Sequence, residues 1–252
     1  MNKLPQITIA FWIMKICATT LGETAGDLLS MTMKIGYGFS SIILISFFIV
    51  VLVIQLFTKK HHPIIFWSVI LATSTAGTTM SDFMDRTLEL GYAFGSSILV
   101  SLLIVTLVIW KATEKSLSVT NIKSLRGELF YWTAILFSNT LGTALGDFLA
   151  DNSGLGFAGG ALLIGSLLIL IVIGYYFTKI SYVILFWFAF VLTRPFGATF
   201  GDLLTKPTEQ DGLNFGTAGS SLILFGALVI LIIFSIINIS KEKKKVYSNN
   251  EN

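Results

Sequence analysis

Four aspartates, Asp27, Asp82, Asp147 and Asp202, occupy matched places in four copies of one apolar motif. Each lies 15 residues after a tryptophan (Trp12, Trp67, Trp132, Trp187) and five after a glycine (Gly22, Gly77, Gly142, Gly197). A carboxylate within a membrane span is expensive, so it marks a functional site by default. Four at equivalent positions point to one shared site. On a helix, the residues three, four and seven before each Asp share its face. These are Thr24, Glu23 and Thr20; Thr79, Thr78 and Thr75; Ala144, Thr143 and Thr140; and Thr199, Ala198 and Pro195. Carboxylate and hydroxyl oxygens are hard ligands that suit Mg²⁺, Ca²⁺, Mn²⁺, Na⁺ or a proton. The candidate cation ligands are therefore Asp27, Asp82, Asp147, Asp202 and Glu23. Thr20, Thr24, Thr75, Thr78, Thr79, Thr140, Thr143 and Thr199 support them. Lys15 and Arg194 are the candidate internal counter-ions, and Pro195 can kink its helix and free backbone carbonyls. The competing structural role for the aspartates is to cap the turn that follows them.

Softer ligands are absent from the motif. His61 and His62 read as a solvated loop pair, and Met80 reads as packing. A single cysteine, Cys17, excludes an internal disulfide and reads as a small buried hydrophobe. Asp85, Asp151 and Asp211 read as solvated charges near loops, or as the rim of a vestibule.

The elements that hold these residues must be membrane helices. The chain of 252 residues is 54% hydrophobic and 12% charged, about half the charge of an ordinary soluble domain. Its mean hydropathy is +0.81. The apolar runs far exceed the ~9–11 residues of a membrane strand, and helices satisfy their own backbone in lipid. Eight are expected, at about 8–30, 37–58, 64–85, 92–112, 129–150, 156–178, 181–204 and 214–239. The aspartates are spaced 55, 65 and 55 residues apart, so a two-unit half of 120 residues is duplicated. The fold class is all-α: one polytopic membrane domain over 1–252, built from four parallel two-helix repeats at about 5–60, 61–112, 127–179 and 180–240, with a basic tail at 241–252.

Each unit opens on an aromatic pair (Phe11-Trp12, Phe66-Trp67, Tyr131-Trp132, Phe186-Trp187) and carries a small-xxx-small pair beside its Asp: Gly22/Gly26, Gly77/Ser81, Gly142/Gly146 or Gly197/Gly201. Such pairs let helix backbones approach closely. The first helix of each unit is expected to face the centre and the second to face lipid. Twelve basic residues fall on the side of the termini: Lys3, Lys59, Lys60, Lys111, Lys115, Lys123, Arg126, Lys179, Lys241, Lys243, Lys244 and Lys245. Three, Lys34, Arg86 and Lys206, fall on the other. The positive-inside rule then places both termini in the cytoplasm and the aromatic pairs at the cytoplasmic interface.

The segments Leu21-Gly22-Glu23-Thr24-Ala25-Gly26-Asp27 and Gly36-Tyr37-Gly38-Phe39, with their later copies, resemble a bacterial family of membrane-anchored proteins carrying a repeat of unknown function, usually four times. The resemblance covers about residues 5–240 and departs most at Arg194-Pro195 and Ala198. It implies this fold and the bacterial inner membrane.

The function expected from the residues is secondary transport of a hard divalent cation, Mn²⁺ first and Mg²⁺ next, with export favoured and proton coupling available through a carboxylate. The partners are the bilayer and a metal cation or proton. No resident cofactor and no nucleic acid is implied, since the basic residues follow membrane ends. One alternative is a channel or a proton- or Na⁺-coupled carrier of a small organic solute, with Tyr37, Phe39, Tyr92 and Phe94 lining its pocket. Another is a membrane scaffold that transports nothing. No P-loop, nucleophile–base pair or catalytic zinc motif argues for an enzyme.

Overall fold

Capping chemistry and glycine punctuation set the helix boundaries. The computed structural model describes residues 5–119, 122 and 124–250, with side chains as far as Lys241. Lys3, Lys123 and the side chains of the tail beyond Lys241 lie outside the described residues. The helices run α1 Ile9–Asp27, α2 Tyr37–Phe57, α3 Pro63–Asp82, α4 Tyr92–Glu114, α5 Leu125–Asp147, α6 Gly156–Phe177, α7 Tyr182–Thr205 and α8 Thr217–Asn250. Thr8 caps α1 by accepting the Phe11 amide at 3.3 Å. Ser124 caps α5 by accepting the Gly127 amide at 2.8 Å. Pro63 opens α3, where its missing N–H leaves no bond unmade. Gly36 and Gly91 precede α2 and α4 at φ 83° and 71°, a conformation side chains resist.

Among the described residues, six helices are long and apolar enough to cross a membrane: α2, α3, α4, α6, α7 and α8. The repeat makes α1 and α5 the equivalents of α3 and α7. They are less apolar because they carry Lys15, Glu23 and three threonines, or Ser138, Asn139, Thr140 and Thr143, most of them buried. A helix that turns its polar face inward can cross lipid on the apolar remainder.

The four odd helices form a closed ring, α1 against α3, α3 against α5, α5 against α7, and α7 against α1. Each even helix packs on the odd helix that follows it: α2 on α3, α4 on α5, α6 on α7, and α8 back on α1. Burial separates the two layers: 72% of the most apolar stretch of α3 is buried, against 6% for α8. The glycines set the ring. A Cβ on Gly22 would run into Ser74, on Gly77 into Asn139, on Gly142 into Arg194, and on Gly197 into Thr19. Each copy of the motif therefore presses its glycine against the next copy, and the fourth presses on the first.

The aromatic pairs close one end of the ring. Ring contacts run Phe11–Phe66–Trp132–Tyr131–Trp110–Trp187–Phe186–Trp12 and back to Phe11, with centroids 5.0–6.5 Å apart. Trp67, Trp132 and Trp187 are buried, so they face their neighbours rather than lipid headgroups.

Candidate functional site

The repeat register, with the bonds from Thr78 and Thr143 to Glu23, sets the interior of the ring in layers four residues apart. From the Trp end these are Lys15, Ile70, Ile135 and Phe190; Thr19, Ser74, Asn139 and Arg194; Glu23, Thr78, Thr143 and Ala198; Asp27, Asp82, Asp147 and Asp202; and Met31, Arg86, Asp151 and Lys206. Rows of i+4 residues face inward because the glycine contacts hold neighbouring helices along that ridge.

The four aspartates are buried and ion-paired in twos. Arg86 joins Asp82 (Nε to Oδ1, 3.0 Å) to Asp147 (Nη2 to Oδ2, 2.9 Å). Lys206 joins Asp202 (3.1 Å) to Asp27 (2.8 Å). The two bridges are related by the internal duplication: Arg86 and Lys206 are 120 residues apart, and each ties its own Asp to that of the next unit. Lys206 lies one residue past the α7 span. Burial works against its charge, but Asp202 and Asp27 outweigh that and hold its pKa above the usual lysine value.

One layer deeper, Glu23 Oε2 accepts from Arg194 Nη1 at 2.9 Å, Thr78 Oγ1 at 3.3 Å and Thr143 Oγ1 at 3.4 Å. Arg194 also donates to Thr143 Oγ1 at 2.7 Å, to Thr78 Oγ1, and to the carbonyls of Ser74 (3.3 Å) and Thr19 (3.4 Å). It is fully buried, and it plugs the axis by touching all three other inner helices. Arg194 is thus the counter-ion of Glu23, not of its own Asp202. Among the described residues Lys15 neutralises no carboxylate: its Nζ sits 4.0 Å over the Phe190 ring and 3.4 Å from Asn139 Oδ1. The counter-ions of the aspartates are Arg86 and Lys206, which the sequence reading counts as loop charges. Their signal is present in the sequence, since each stands one helical turn after an Asp.

Of the threonines, Thr78 and Thr143 reach the axis. Thr20, Thr75, Thr79, Thr140 and Thr199 donate to carbonyls of their own helices. Thr24 accepts from Ser221 of α8 at 2.9 Å. The positions three and seven before Asp therefore turn toward neighbouring helices, and the position four before it carries the site. The aspartates are not caps: Asp27, Asp82 and Asp147 make no capping bond to the five-residue π-helical turns that follow them (28–32, 83–87, 148–152). The fourth unit has no such turn, and α7 runs straight to Thr205. π-turns are rare and concentrate at functional sites.

At the Asp end a cavity of about 470 Å³ reaches this layer. Its lining includes Arg86, Asp151, Asp202, Lys206 and Asp211, so two of the three peripheral aspartates do rim a vestibule. Asp151 also accepts from Tyr92 OH at 3.0 Å. Asp85 is buried instead and accepts from Ser81 at 3.2 Å. Phe39 and Phe94, at 72% and 59% exposure, point away from the axis and do not line this cavity. A cation is best served by Glu23, Asp147 and Asp202, each of which offers one carboxylate oxygen within 4.8 Å of the other two.

A polytopic all-α membrane protein built on a four-copy repeat, with its polar residues gathered on a central axis, is the class these features define. The sequence pattern described as "Repeat of Unknown Function (DUF347)" matches residues 10–61, 65–116, 130–181 and 185–238, and the chain belongs to that family. No curated protein and no solved structure gives a match.

Proposed function

We propose that this protein is a secondary transporter of a hard divalent cation, Mn²⁺ first and Mg²⁺ next, in the bacterial inner membrane with both termini cytoplasmic. The observation that carries the reading is the convergence of Glu23, Asp147 and Asp202 oxygens within 4.8 Å. Those groups lie on the axis of a closed helical ring, beside a cavity that lets water and ions approach from one end. Hard oxygen ligands suit these ions. Arg86, Lys206 and Arg194 act as tethered cations that hold the carboxylates between cargo ions, and an arriving ion displaces them. The basic asymmetry supports the orientation. Arg86 and Lys206 are engaged by carboxylates, which leaves Lys34 as the loop cation on the Asp side.

The test is ⁵⁴Mn²⁺ flux in proteoliposomes with Asp147→Asn and Asp202→Asn. Flux lost in both variants, with wild-type thermal stability retained, is the expected result; unchanged flux in both sinks the reading. A carrier of a small organic solute is favoured by the mixed charge of the cavity lining, which suits a zwitterion. Thermal stabilisation by amino acids without metal distinguishes it. A scaffold predicts tolerance of Asp→Asn at all four positions.

A further inference from the structure

Among the described residues, Lys15 is the cation of the axis that no carboxylate pairs. It is fully buried, and it lies outside the Glu23–Asp147–Asp202 cradle, two layers toward the Trp end. A protonated lysine brings three N–H donors and no acceptor. Among the described residues, they meet one acceptor, Asn139 Oδ1 at 3.4 Å, and the face of Phe190. Asn139 is oriented by donating to Thr73 Oγ1 at 2.9 Å. A buried charge so thinly solvated is costly, so Lys15 is a group that can give up its proton as well as hold it.

The groups around it leave one electrostatic neighbour. On α7, Arg194 lies one layer away and acts on Lys15 through its charge. On α1, Glu23 is committed to Arg194, and Cys17 turns to the Leu224 carbonyl of α8 at 3.4 Å. On α5, Tyr131 belongs to the aromatic circuit, and the buried Glu128 stands seven residues before Ile135 of the Lys15 layer, two turns further toward the Trp end. α3 has no ionisable side chain before Asp82, and α8 has none from Thr217 to Ser240.

We propose that Lys15 Nζ is the proton-carrying site of this transporter, and that its proton and the cation cargo bind alternately; the proposal rests on the cation-transport reading. Arg194 supplies the coupling. With the cradle empty, Glu23 neutralises Arg194, and Lys15 accepts a proton from water onto its lone pair. A cation in the cradle draws on Glu23, leaves the Arg194 charge facing Lys15, and drives that proton back to water. Lys15 lies three residues past Trp12, directly beneath the aromatic circuit, so opening the Trp end exposes it.

The experiment uses full-length protein in proteoliposomes and two assays: ⁵⁴Mn²⁺/Mn²⁺ exchange without a pH gradient, and ⁵⁴Mn²⁺ accumulation against an imposed one. Lys15→Met is expected to keep exchange and to lose accumulation. Accumulation retained in Lys15→Met overturns the proposal. Absence of both activities in the wild type overturns the transport reading, and this proposal with it. Should Lys15→Met lose exchange as well, ¹⁵N-lysine NMR of the wild type decides, with Mg²⁺ as the diamagnetic cargo. An amine-type Nζ resonance that turns to ammonium when Mg²⁺ is removed supports the proposal, and ammonium in both states overturns it.

Discussion

Glu23 is where the first copy of the repeat departs from threonine, and Arg194 is where the fourth departs from a small polar residue. The two departures meet on the axis in a buried ion pair of 2.9 Å. Removing one partner of such a pair strands the other, which typically destabilises by about 3–5 kcal/mol. Arg194→Met is expected to lower stability by that order, read by thermal unfolding in detergent. The double variant Glu23→Gln/Arg194→Met should recover most of the loss, because no charge remains unpaired. A single variant as stable as wild type would contradict the assignment. The aspartates and Glu23 were legible from type and spacing. Arg86 and Lys206 do not announce themselves as partners, because positions just past the end of an apolar run look solvated until the neighbouring helix is known.

Among the elements, the glycine ridge decides which residues see the axis. Helical periodicity alone leaves the rows at three, four and seven open, and the close approaches at Gly22, Gly77, Gly142 and Gly197 select the four-spaced row. Gly142→Val must push against Arg194 and Pro195, whereas nothing lies within 4 Å of a Cβ placed on Gly219. Overpacking of this kind costs about 1–3 kcal/mol or more. The expected outcome is a clear loss of thermal stability for Gly142→Val and near-wild-type behaviour for Gly219→Val, compared side by side by fluorescence-detected size exclusion with heating. Equal stability of the two would show that the ridge is not close-packed. The helices themselves were largely legible, six from apolar runs of membrane length and α1 and α5 from their place in the repeat. The π-turns after Asp27, Asp82 and Asp147 were not, because no single residue type demands one.

Taken whole, the molecule is two duplicated halves joined across two faces of the inner ring, α3 on α5 and α7 on α1. Each cation bridge of the axis has an arm that crosses between halves: Arg86 to Asp147, Lys206 to Asp27, and Arg194 to Glu23. A rocking motion that opens the Asp end must break the first two together. Arg86→Met and Lys206→Met are therefore expected to change cation flux in the same direction, and opposite effects would refute a two-fold clamp. What the sequence by itself determined is the local and repetitive part. Apolar length together with the repeat dictates eight helices, the 120-residue offset dictates two halves, and the cost of a carboxylate in lipid dictates an inward site. Pairing was decided only by the tertiary structure. Which cation meets which carboxylate depends on how four tilted helices close around one axis, and residues as distant as Glu23 and Arg194 have no spacing that could announce their contact.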